Sequence, residues 1–170
     1  MFPAALCERL QASADGGTHL LVSGSYIASD LWDPIFAADT TAQAQAAQSF
    51  VQNTLGWRWM TGRASRSGKV WAMHPRKGFD AIQIRQGTAF CTDNRADFYR
   101  VESPDGLVPA QKSAQTIFRY QDNNISAGVA YQGPGYKAVS LGFPLESLLE
   151  SADRKTIIDA ALAFFNTPQL

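Results

Sequence analysis

Asp15-Gly16-Gly17-Thr18-His19-Leu20-Leu21-Val22-Ser23-Gly24-Ser25-Tyr26 reads as a glycine turn, a buried strand and a sharp small-residue exit. Thr18 to Ser23 shows no clean alternation of apolar and polar residues, as expected of a strand covered on both faces. In α/β proteins, ligands and nucleophiles sit where a parallel strand ends. The exit that presents Ser25 and Tyr26 is therefore the first candidate site.

Around this stretch the chain divides into recognisable elements. Phe2, Leu6 and Leu10 recur at helical spacing and predict a short amphipathic helix. A polar and aromatic loop from Ile27 to Asp39 follows the exit, and Asp39 or Thr40 caps a helix over about 41–55 that stops at Gly56. The middle of the chain is rich in tryptophan and in short β-prone runs. Val70–Met73, Ala81–Ile84 and Thr88–Cys91 read as strands of a meander, and Ser103-Pro104-Asp105-Gly106 as the loop that leaves it. Strands return at 116–120, 126–131 and 136–141, separated by turns at Asp122-Asn123-Asn124 and Gly133-Pro134-Gly135. A terminal helix opens at Ser151 or Asp153 and buries Ile157, Ile158, Ala161, Leu162 and Phe165. The whole of 1–170 reads as one α/β domain with a β-rich insertion over 57–112.

Bulk properties exclude several functions. Fifteen basic residues balance fifteen acidic ones, so no net field draws in nucleic acid or an anionic membrane. No apolar run approaches the ~20 residues that span a bilayer. Met1-Phe2-Pro3 offers neither the basic nor the apolar region of a signal peptide. Cys7 and Cys91 read as buried thiols. Two isolated histidines, His19 and His74, predict no metal site, and no motif calls for a cofactor.

The candidate site residues admit two uses. Ser25 would act as a nucleophile with His74 as base and Asp30 or Asp33 as the orienting acid. However, the surrounding Ser23-Gly24-Ser25-Tyr26-Ile27 is not a Gly-x-Ser-x-Gly elbow, and small residues also serve a tight turn. As a binding site, Ser25, Tyr26, Asp30, Trp32, Asp33 and Arg63 would hold a ligand's hydroxyl groups, with Trp32 stacked on a sugar face. The basic run Gly62-Arg63-Ala64-Ser65-Arg66-Ser67-Gly68-Lys69 suits a phosphate or carboxylate. It lacks the ending of a phosphate-binding loop and reads better as a solvated hairpin loop.

Three segments together carry a family resemblance: Gly16-Gly17-x-x-Leu20-Leu21-Val22-Ser23-Gly24-Ser25-Tyr26, Arg119-Tyr120-x-Asp122-Asn123-Asn124-x-Ser126-Ala127-Gly128-Val129-Ala130-Tyr131, and Leu141-Gly142-Phe143-Pro144-Leu145-Glu146. The chain resembles the class I glutamine amidotransferase-like domains of secreted, xanthan lyase-like proteins of Bacteroidetes, from about Gly16 to Phe165. The resemblance implies a three-layer, flavodoxin-like sandwich with a mainly parallel sheet, here short of its first βα units. It also implies a secreted or periplasmic protein. Active members carry a cysteine at the strand exit and a His-Pro-Glu-like segment after a late strand. This chain has Ser25 at the first place and Phe143-Pro144-Leu145-Glu146 at the second. The expectation is a non-catalytic module that binds a carbohydrate or another small molecule. Its open sheet edge would dock a partner chain or a missing N-terminal segment.

Overall fold

The computed structural model describes residues 2–27, 29–33, 42–74, 77–82, 84 and 87–168, without the side chain of Asp30. In chain order the elements are α1 (Ala4–Asp15), β1 (Leu20–Ser23), the single turn α2 (Ser29–Trp32) and α3 (Ala42–Phe50), which a π-helical turn prolongs over Val51–Leu55. Then come β2 (Trp57–Thr61), β3 (Lys69–Ala72), β4 (Thr88–Ala89), β5 (Gly106–Pro109), β6 (Ala114–Tyr120), β7 (Ser126–Gln132), β8 (Lys137–Leu141) and α4 (Ser151–Asn166).

The main sheet has the order β1-β8-β7-β6-β3-β4, while β2 and β5 pair separately. Among the described residues only β1 and β8 run parallel; β8/β7, β7/β6, β6/β3 and β3/β4 are antiparallel. The sheet curls into a half-barrel. The mainly parallel, flavodoxin-like sandwich expected from the family resemblance is therefore not the fold. The reason lies in the connections. Residues 121–125 and 133–136 join β6 to β7 and β7 to β8, far fewer than the dozen or more that a parallel crossover needs.

Both faces of the sheet's centre are nonetheless covered, whereas β1, expected to be covered on both faces, lies at the edge and leaves Leu21 exposed. Every residue of β8 is buried, as are Ser126 to Tyr131 of β7. On one face α4 contributes Ile157, Ala160, Ala161 and Phe164, packed with Phe79, Phe90, Phe118, Val139, Leu141 and Phe143. On the other, Phe2, Phe50, Val51, Leu55 and Trp57 pack on Leu107, Val129, Tyr131, Tyr136 and Ala138. Lys137 shares the α4 face and is wholly buried. Its Nζ donates to Phe164 O at 2.6 Å, Thr167 O at 2.5 Å and Thr167 Oγ1 at 2.6 Å. These bonds satisfy carbonyls that the end of α4 leaves open.

Several local expectations change. Ala81 and Ile82 lie in a turn closed by the Ile82 N–H donating to Phe79 O at 2.9 Å, not in a strand. The run 88–91 keeps only the two residues of β4, followed by a bridge from Phe90 to Leu148. β3 and β4 complete the far side of the main sheet instead of forming a meander of their own. The helix over 41–55 ends as expected at Gly56, whose φ of 79° and whose contact with Tyr131, 2.3 Å from an added Cβ, both demand glycine. None of the helices among the described residues is long and apolar enough to cross a membrane.

One close approach holds the exit of β8 in place. The Asp105 N–H donates to Gly142 O at 2.7 Å, and a Cβ on Gly142 would stand 2.0 Å from Asp105 O. That atom is backbone and cannot swing aside. Gly142→Ala is expected to cost about 3 kcal/mol, read as a lower urea midpoint with the slope unchanged.

Candidate functional site

Because β1 and β8 run parallel, their carboxyl ends open at the same end of the sheet. Gly24 N–H donates to Leu141 O at 3.3 Å, and Ser23 Oγ accepts from Leu145 N–H at 3.4 Å. The two turns that carry the resemblance, 23–26 and 142–146, are thus side by side. Ser25 is half-buried and Tyr26 is exposed, with a left-handed φ of 57° that marks a strained exit.

Above this exit, segments from far apart in the sequence meet on one aspartate, two of them on its carboxylate. Asp105, at the start of β5, is entirely buried. Its Oδ1 accepts from Ser29 Oγ of α2 and from Trp59 Nε1 of β2, the latter at 3.2 Å. Its carbonyl accepts from Tyr120 Oη at 2.8 Å, and that hydroxyl also reaches Gly142 O at 3.1 Å. Burial, and then the charge of Asp105, pushes the Tyr120 phenol well above its ordinary range, so it stays a donor at every physiological pH. Asp33 N–H donates to Ser29 O at 2.7 Å. A methyl on Gly62 would lie 3.3 Å from Ser29 Oγ, 3.4 Å from Ser103 Oγ and 3.8 Å from Asp33 Oδ2, which places the end of β2 in the same cluster.

The predicted site residues divide accordingly. Trp32, Asp33 and Arg63 belong to the segments that meet here, beside the turn of Ser25 and Tyr26. Trp32 and Trp59 are half-buried and also pack against the α3 core. Asp30 lies in α2, and its side chain is outside the described part of the structure. His74 is elsewhere. The registered row Ser23–Leu141–Gly128–Phe118–Ala72 crosses four strand spacings, about 19 Å along the sheet. β3 runs opposite to β1, so His74 lies beyond the other end of that row. His19 precedes β1, where its Nδ1 accepts from the Lys137 N–H at 3.0 Å and its ring packs on Phe165. Neither of the chain's two histidines stands at the exit. Glu146 accepts from Tyr99 Oη at 3.0 Å.

Sequence reasoning missed Ser29, Trp59, Ser103 and the role of Asp105. The basic run 62–69 also differs from a solvated loop, because it is tied down along its length. Arg63 N–H donates to Ser103 Oγ at 3.1 Å, Ala64 N–H to Pro104 O at 2.8 Å, and Asn123 Nδ2 to Ala64 O at 2.8 Å. Asp122 then accepts from Ser65 Oγ, from the N–H groups of Arg66 and Ser67, and from Ser67 Oγ. Among the described residues, no group of three or more His, Cys, Asp or Glu is placed to hold a metal ion.

Two tests follow from this geometry. Asp105→Ala strands the buried Ser29 hydroxyl and the Trp59 indole N–H, at an expected cost of about 2–4 kcal/mol, with a red shift in tryptophan emission. Partial burial pushes the Asp122 carboxyl up, but the bonds from Ser67, Arg66 and Ser65 outweigh it and hold the group at about 2. A carboxyl depressed on folding stabilises the protein above its unfolded pKa and loses that stabilisation as pH falls through its folded one. The gap in urea midpoint between wild type and Asp122→Asn should therefore narrow as pH falls from about 4 through about 2. A gap as wide at pH 2 as at pH 6 would contradict the assignment.

The chain matches no protein-family profile and no curated protein. Its fold is similar to part of an exo-β-1,4-mannosidase, Op5Man5, from Opitutaceae bacterium strain TAV5, with a TM-score of 0.51 and 12% sequence identity. The match covers 99% of this chain and 24% of that one, so the chain spans about a quarter of the length of the protein it matches. At this identity the likeness is one of fold.

Proposed function

We propose that this chain is a non-catalytic, ligand-binding module of a larger, secreted protein, with carbohydrate as the ligand class. The observation that carries the non-catalytic reading is Phe143. The amidotransferase-like resemblance puts a histidine in the segment Phe143–Glu146, and the structure sets that segment against the exit of β1. Phe143 is wholly buried, stacked on Phe90 at 5.4 Å and edge-on to Phe118 at 6.0 Å between ring centroids. On that resemblance an apolar ring would take the place of the base, and both histidines lie away from Ser25. A serine hydroxyl without a base is a weak nucleophile near neutral pH.

The binding reading rests on what the exit does present. Trp32 keeps part of its indole open, and Ser25, Tyr26 and Asp33, its near neighbours along the chain, carry hydroxyl and carboxylate groups. Rings of this kind stack on sugar faces while polar neighbours orient the hydroxyls. The likeness to part of a mannosidase and the resemblance to secreted amidotransferase-like domains agree with a carbohydrate setting and a longer parent chain.

Titration of soluble oligosaccharides, β-1,4-mannooligosaccharides among them, against tryptophan fluorescence tests this reading. Saturable quenching is expected, weakened about tenfold or more in Trp32→Ala. Absence of saturable binding across neutral and charged glycans would overturn the carbohydrate class. Ester or amide hydrolysis that disappears in Ser25→Ala would overturn the non-catalytic reading.

A further inference from the structure

Beside the Asp105 cluster opens a cleft of about 360 Å³ lined by Arg63, Ser65, Arg66, Thr92, Arg100, Val101 and Glu102. Three arginines and one glutamate line it, in a protein whose overall charge is balanced. Among the described residues, none of the three guanidiniums, nor Glu102, takes part in an ion pair. Asp122, the nearest organising carboxylate, does not neutralise Arg66. It takes that residue's backbone N–H and the hydroxyls of Ser65 and Ser67 instead. The arginine heads are therefore not spent on holding the loop.

The backbone that carries them is nevertheless fixed. Arg63 is held at a left-handed φ of 48°, a conformation that costs a non-glycine residue energy and persists only where its surroundings enforce it. The bond from its N–H to the buried Ser103 Oγ and the one from Ala64 to Pro104 enforce it here. Ser65 and Val101 are buried and form the floor. Guanidinium groups match the planar or tetrahedral oxygens of carboxylates and phosphates with paired N–H donors.

We propose that this cleft is an oxyanion site, which takes a small ligand bearing at least two negative charges through Arg63, Arg66 and Arg100. The inference deepens the binding-module reading by adding an anionic group to the ligand, and it rests on that reading only for the neighbouring sugar face. A phosphate ester and a polycarboxylate share this chemistry, so each is probed separately.

The test is calorimetric titration of the full chain with inorganic phosphate and with citrate, against sodium chloride of matched ionic strength. Saturable binding of phosphate, of citrate or of both is expected, and the tighter one names the source. Arg63→Gln, Arg66→Gln and Arg100→Gln should each weaken it about tenfold, with the ligand-free melting temperature nearly unchanged because the three heads are exposed and unpaired. Glu102→Gln should tighten it, a gain that general damage to the fold cannot produce. No binding beyond the chloride control, or binding indifferent to Arg100→Gln and Glu102→Gln, overturns the proposal. Titration of the same samples with a neutral oligosaccharide separates the two readings. Anion binding without glycan binding removes the carbohydrate class alone, and glycan binding without anion binding removes the oxyanion site alone.

Discussion

A carboxylate withdrawn from water has to be given donors, and Asp105 receives them from segments far apart in the chain. Ser29 lies 76 residues before it and Trp59 lies 46 before it. Its backbone is fixed in turn by Gly142 and Tyr120. Leaving such a group unsatisfied costs several kcal/mol, so the exits of β1, β2 and β8 and the turn α2 cannot shift independently. The cluster makes the end of the parallel pair a fixed platform, although no regular hydrogen-bond ladder runs between its parts.

The same constraint explains how a largely antiparallel sheet keeps one parallel pair. Successive hairpins build β6, β7 and β8, and β1 then adds to the outer side of β8 in the same direction. A parallel neighbour needs a long connection, and nearly everything between Ser23 and Lys137 supplies it. That connection crosses the exit at α2, at the end of β2 and at the start of β5. Asp105 pins it at all three crossings.

Much of the element pattern was legible in the sequence, and the direction of the strands was not. β1, β3, β6, β7, β8, α1, α3 and α4 all fall where periodicity and turn residues put them. Missing alternation was read only in β1, which does run parallel to β8; the direction of the other strands was taken from a resemblance that implies a mainly parallel sheet, and burial alone does not report direction. Here α4 covers one face, and α1, α3 and the β2/β5 pair cover the other. The short turns at Asp122-Asn123-Asn124 and Gly133-Pro134-Gly135 were the informative signal. At the candidate site, Trp32 and Asp33 were named because they follow the exit in sequence. Asp105 was not, since an aspartate between proline and glycine is an ordinary turn residue and nothing local announces that it is buried. His74 failed as a partner for Ser25 because sequence spacing carries no information about which end of an antiparallel strand a residue occupies.

The platform also bears on the arginines beside it. A free arginine side chain gives up about 2 kcal/mol of rotamer freedom when it is immobilised, so three of them on a flexible loop would make a weak site. The segment 100–105 turns one side to the Asp105 cluster through Ser103 and the other to the cleft through Arg100, Val101 and Glu102. The segment 62–67 is bound to it on one flank and to Asp122 and Asn123 on the other. Ligand binding then has only side chains to order, since folding has already ordered the backbone. The left-handed strain at Arg63 is met by bonds to Ser103 and Pro104, the two residues that lead into Asp105, so the aim of that guanidinium depends on a segment whose end the buried carboxylate anchors.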